Sequence, residues 1–132
     1  MKQHELALLY MQKAAEDEAL IDEVIDSERV SDAAIGFHCQ QAAEKLLKAL
    51  LSQLGVRFRR THDLTELMDL LADNGLELPH GLRDIDHLNP YAVEFRYDVL
   101  PLEVTVPLNR QAIRKLIRDL RGWVTAKITG KS

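Results

Sequence analysis

Apolar positions recur along most of the chain at spacings of three and four, the period of a helix packed by one face. Ala7, Tyr10, Met11, Ala14, Ile21, Val24 and Ile25 set that rhythm early and predict a first helix over residues 4–26. The stretch DSERVSD, residues 26–32, interrupts it, and Ser31 or Asp32 can cap a new helix. This second helix is predicted over 32–54, stopped by Gly55. On it Ala34, Phe37, Ala42, Ala43, Leu46, Leu47, Ala49, Leu50, Leu51 and Leu54 cover most of the circumference. A helix apolar on so many sides belongs at the centre of a fold.

After the short connection GVRFRRTH, Asp63 and Glu66 have the spacing of a capping box, and Leu64, Leu67, Met68 and Leu71 give a third helix its apolar face. Asn74-Gly75 suits a left-handed cap at its end. Residues 80–88 predict a short fourth helix broken by Asn89-Pro90, after which YAVEFRY can resume for one or two turns. Residues 98–107 read as extended. There Leu100, Leu102, Val104 and Val106 alternate with Pro101, Glu103, Thr105 and Pro107, and the prolines exclude a helix. Pro107 is expected at the first position of a last helix, 107–127, with Ile113, Leu116, Ile117, Leu120 and Val124 as its core stripe. The reading is all-α, one domain over residues 1–132.

Composition refines this picture. With 46% hydrophobic residues, the chain can bury a core and is not a disordered one. The lone Cys39 excludes an internal disulfide. No secretory signal and no membrane-length apolar run is visible, so a cytoplasmic location away from membranes is expected. A net charge of −4 argues against a general nucleic-acid coat. The charge is uneven, however. Residues 1–32 hold nine acids against three bases, and residues 110–131 hold seven bases against one acid. This polarity reads as complementarity between two packed helices, or else as a field that steers a charged partner.

Gln41, Glu44, Lys45, Lys48 and Ser52 form one narrow polar stripe on the second helix. They are either a solvated seam, with Gln41–Lys45 and Glu44–Lys48 pairs worth ~0.2–0.5 kcal/mol each, or the lining of a site. Other chemistry has little support. Cys39 lacks a cationic activator, so an inert buried thiol is expected. His80 and His87 have no carboxylate at metal-ligand spacing, and no metal and no cofactor is implied.

Three separated motifs run in order: Phe37, Gln41-Ala42-Ala43-Glu44-Lys45 and Lys48-Ala49; then Thr61-His62-Asp63-Leu64; then Tyr91 and Arg96-Tyr97. In this series the chain resembles the HEPN domain family. The resemblance implies a four- to five-helix up-and-down bundle that dimerises, often beside a minimal nucleotidyltransferase in a toxin–antitoxin-like pair. Some members are metal-independent ribonucleases that carry an arginine, four to six residues, and a histidine near a late helix. Here the positions after Arg96 that could hold that histidine are Pro101, Leu102 and Glu103. Arg57 and His62 match the spacing but lie before the third helix.

The ligand-binding candidates are therefore Gln41, Glu44, Lys45, Lys48, His62, Arg96 and Tyr97, with Arg57, Arg59 and Arg60 as weaker basic-loop candidates. Arginine and a helix start both suit the phosphate of a nucleotide or RNA. The competing account is a buried network in which Glu44 pairs with Arg96, His62 caps a carbonyl and Tyr97 packs. The expected function is a homodimeric partner of a minimal nucleotidyltransferase that binds nucleotide or RNA. The alternatives are an RNA-cleaving toxin using Arg57 and His62 or a divergent site near Arg96, and a dimeric scaffold without a ligand.

Overall fold

The computed structural model describes residues 2–92 and 107–130. Four α-helices, α1 (Lys2–Val24), α2 (Asp32–Gln53), α3 (Leu64–Asp73) and α4 (Arg110–Thr129), are joined by a 3-10 helix, His80–Tyr91, between α3 and α4. Among the described residues there is no strand, and no helix is long and apolar enough to cross a membrane. The expected turns beyond Ala92 and the extended stretch 98–106 lie outside the described residues.

Every other helix packs on α2. Its start is fixed by Ser31, whose Oγ accepts the Ala34 N–H at 3.1 Å. Its end is fixed by Gly55 at φ 71°, where the Val56 and Gly55 amides close back on the Leu51 and Ser52 carbonyls. Only glycine adopts that turn without strain, which is why the helix stops there. Between these ends Cys39, Ala42, Ala43, Leu46, Leu47, Ala49 and Leu51 are fully buried. α1 lies antiparallel to α2, with His4 bonded to Gln53 at one end and Asp17 to His38 further along. α3 and the 3-10 helix add Leu64, Leu67, Leu71, Ile85 and Leu88 to the core.

Part of the charge asymmetry of the two ends of the chain is internal. Arg114 is buried and grips Asp22 through Nε and Nη2, and its Nη1 reaches Glu18 Oε1 at 3.3 Å. Arg121 donates from Nε to Glu18 Oε2 at 2.6 Å and from Nη2 to the Met11 carbonyl at 3.0 Å. Arg110 binds Asp32 and the carbonyls of Ile25, Ser27 and Val30, closing the α1–α2 connection. These contacts run in opposite order along α1 and α4, so the two helices are antiparallel. Buried guanidinium and carboxylate groups are tolerated here because each has several partners. The hydrogen bonds from Arg114 hold the Asp22 carboxyl below its ordinary value, and the Leu108 amide and Arg110 do the same for Asp32.

Several helix boundaries differ from the sequence reading. α1 runs from Lys2 to Val24 rather than over 4–26. α4 opens at Arg110, not Pro107, because the Asn109 side chain accepts the Ala112 N–H and the Leu108 amide is already bound to Asp32. The helix after α3 continues through Pro90 to Tyr91. A proline removes only its own N–H, and its fixed φ lies within the 3-10 range.

Two outcomes test this packing. A Cβ at Gly36 would run into the Tyr91 ring. Gly36→Ala is expected to destabilise, because overpacking costs ~1–3 kcal/mol against the ~1 kcal/mol that alanine gains over glycine in a helix; urea unfolding that finds the variant more stable would refute the contact. Asp22, with its lowered pKa, stabilises the fold fully above its ordinary value of 3.8 and loses that contribution as pH falls through the lower folded value. Melting curves from pH 7 to acid should therefore show a weaker acid dependence in Asp22→Asn than in the parent.

Candidate functional site

The polar stripe of α2 is not a solvated seam. Glu44, Lys48 and Ser52 are buried, at 4%, 8% and 5% exposure. Burial of a carboxylate demands donors, and Glu44 has three. His62 Nδ1 lies 2.8 Å from Oε1, Gln40 Nε2 donates to the same oxygen at 3.1 Å, and Lys48 Nζ donates to Oε2 at 2.9 Å. Gln40 also donates to the His62 carbonyl at 2.9 Å and accepts from Gln41 Nε2 at 2.7 Å. Lys48 Nζ stands 5.7 Å from the Phe58 ring centre, a cation–π contact on its remaining side.

Lys45 turns the other way. Its Nζ donates to Asp17 Oδ2 on α1 at 2.6 Å, and His38 Nδ1 meets Oδ1 of the same carboxylate at 3.1 Å. The expected Glu44–Lys48 pair is therefore present, whereas Gln41 and Lys45 each bind a partner other than one another. The ring of His62 goes to Glu44 and caps no carbonyl; its own backbone carbonyl is the acceptor. Arg96 and Tyr97, and with them the expected Glu44–Arg96 pair, lie outside the described residues.

The start of α3 is closed to an anion. Asp63 Oδ1 accepts the Thr65 and Glu66 amides at 3.0 and 3.4 Å, and Asn89 Oδ1 takes the Leu64 amide at 2.8 Å. The orphan donors that make a helix start a phosphate site are thus used within the fold. Glu66 does not complete a capping box, because Arg59 holds it in a two-pronged pair at 2.8 and 2.6 Å. Arg57 and Arg60 differ from Arg59. Both are exposed, and among the described residues neither makes a hydrogen bond or ion pair. The His62 side chain is 35% exposed beyond its bond to Glu44. A carboxylate on Nδ1 fixes the ring and leaves Nε2 for another partner.

Cys39 is fully buried, and burial pushes its thiol up to about 12, so it is inert at neutral pH. Sequence reasoning missed Gln40, Asp17 and Asn89. Gln40 lies one turn before Glu44, and Asp17 interrupts the apolar rhythm of α1. Both were polar residues on a packed face, which is the signal that could have found them. Asn89 carried no such signal, because a side chain reaching back to a helix start is a tertiary event.

The architecture is that of an all-α bundle whose central helix carries a buried charged network; among the described residues the one buried side-chain atom left without a hydrogen-bond partner is Ser52 Oγ, at the end of the same stripe. The sequence model of the HEPN domain family matches residues 5–126, and the chain belongs to that family. No curated protein and no solved structure shows a significant match to the chain.

The network makes a quantitative prediction. Glu44→Ala leaves the Lys48 ammonium buried without its counter-charge and should cost ~3–5 kcal/mol in urea unfolding. Glu44→Leu combined with Lys48→Leu removes both charges and should recover part of that loss. A Glu44→Ala protein within ~0.5 kcal/mol of the parent, the range of an ordinary surface change, would show that the carboxylate holds nothing together.

Proposed function

We propose that this HEPN protein binds the phosphate of a nucleotide or RNA and acts as the partner of a minimal nucleotidyltransferase in a paired, toxin–antitoxin-like system. The binding half is supported chiefly by one observation. The loop that leads into α3 carries two exposed arginines without partners among the described residues, Arg57 and Arg60, and ends on an imidazole fixed by a buried carboxylate. Lys45 and Lys48 are already engaged with Asp17 and Glu44. The contact is therefore assigned to side chains of this loop and not to the amides of α3. The pairing half rests on family membership.

The test uses a fluorescein-labelled single-stranded RNA and, separately, ATP. Arg57→Ala with Arg60→Ala should weaken binding at least ~10-fold and flatten its salt dependence. The melting temperature should stay unchanged, since neither arginine holds the fold. Equal binding by parent and variant would defeat the assignment. A second reading, RNA cleavage with His62 as the proton-transferring group and Arg57 as the accompanying cation, is favoured by the Glu44–His62 bond. Loss of metal-free RNA cleavage in His62→Ala would support that reading over simple binding. For the pairing, an adjacent gene encoding a short protein with Gly-Ser followed by Asp-x-Asp, whose product co-purifies with this chain, is the supporting result.

A further inference from the structure

The start of α1 meets the turn that closes α2 along a groove of about 610 Å³, the size of a small-molecule site. Lys2 and Arg57 line it. Both are exposed, and among the described residues neither makes a hydrogen bond or ion pair. No acidic side chain lines the groove, so nothing in its walls offsets these two charges. Leu6, Val56 and Phe58 supply its apolar surface. The Phe58 ring is held in position by Tyr10, 6.3 Å away between ring centres, and by the Lys48 ammonium.

Two neutral polar side chains share the lining. Gln3 lies against the bare backbone of Gly55, where any Cβ would strike its amide. Ser52 is only 5% exposed, yet its Oγ has no hydrogen-bond partner. Polar groups shut away from water are almost always bonded, so this hydroxyl is a donor open to a guest.

These features select a ligand. Two cations without a carboxylate call for an anion, and the planar fork of arginine matches a carboxylate. The apolar walls call for a body without polar atoms, because each one buried there unpaired costs free energy. A nucleotide fails the second condition. Its base edges and ribose hydroxyls present more donors and acceptors than Ser52 and Gln3 can meet.

We propose that this groove binds a small aromatic carboxylate. Its charge lies against Lys2 and Arg57, its ring along Leu6, Val56 and Phe58, and Ser52 donates a hydrogen bond to it. Arg57 is shared with the loop assigned above to RNA phosphate. The other contacts belong to the groove alone, so the site stands whether or not that loop binds RNA.

Calorimetric titration of the full chain with 2-naphthoate tests the site. One equivalent should bind with a roughly submillimolar Kd, as a ligand of that size allows. The neutral 2-naphthamide should bind at least ~10-fold more weakly, since it lacks the charge. Leu6→Glu sets a like charge on the apolar wall, at an exposed position, and should weaken the carboxylate at least ~10-fold. Ser52→Ala separates binding from structure. It should weaken 2-naphthoate ~3- to 10-fold while the melting temperature stays level or rises, because the hydroxyl holds nothing in the fold. Lys13→Ala, on the same helix but outside the groove, should bind like the parent. A parent that binds no 2-naphthoate, equal binding of the amide, or parental affinity in Leu6→Glu or Ser52→Ala overturns the proposal. A loss in Lys13→Ala as large as in Leu6→Glu would trace the effect to net charge and overturns it equally. Adenosine monophosphate that displaces the carboxylate with equal or higher affinity overturns the ligand class.

Discussion

A helix surrounded on every side cannot place a charge in water, and α2 carries Glu44 and Lys48 where they are buried. The two charges answer each other, and the groups they leave over must be met by further neighbours, on α2 itself or from elsewhere in the chain. His62 comes from the loop before α3, Phe58 from the connection after α2, and Gln40 from one turn earlier on α2 itself. The arrangement of the α2–α3 connection is a result of that requirement. The loop passes close to α2 because the carboxylate and the Gln40 amide both bind its last residue before the cap.

The same logic operates between α1 and α4, with a different balance. Glu18 is buried and takes two arginines, while Asp22 is half in solvent and shares one of them. Arginine suits this position because its planar fork serves two carboxylates at once, which a lysine cannot do. Part of the opposite formal charge at the two ends of the chain, that of Asp32, Asp22 and Glu18 with Arg110, Arg114 and Arg121, is therefore spent inside the molecule. What remains on the surface as unpaired cation, among the described residues, includes the pair in the loop before α3.

Much of the architecture was legible in the sequence. Apolar period gave the four α-helices, Gly55 and Gly75 marked two ends, and the apolar circumference of α2 announced its central place. Boundaries set by side-chain capping were less legible, as at Asn109, where a proline two residues earlier offered a rival start. The stripe residues were recognised as a set, but spacing alone cannot say whether a polar group faces water or a buried partner. Gln41 and Lys45 show why: they are four apart on one helix, yet one turns to Gln40 and the other crosses to Asp17. Only the position of α1, which local pattern does not encode, decides between them.

Asn89 ties distant parts of the chain into a single cooperative unit. α3 has ten residues, too few to persist alone in water. Its first free amide is closed by a side chain 25 positions later, at the far end of the 3-10 helix. Asn89 Nδ2 also donates to Asp63 Oδ1 and Thr65 Oγ1. The first turn of α3 is therefore complete only when the 3-10 helix has docked. Local opening that releases one must loosen the other, so the region from Asp63 to Tyr91 opens as one folding unit.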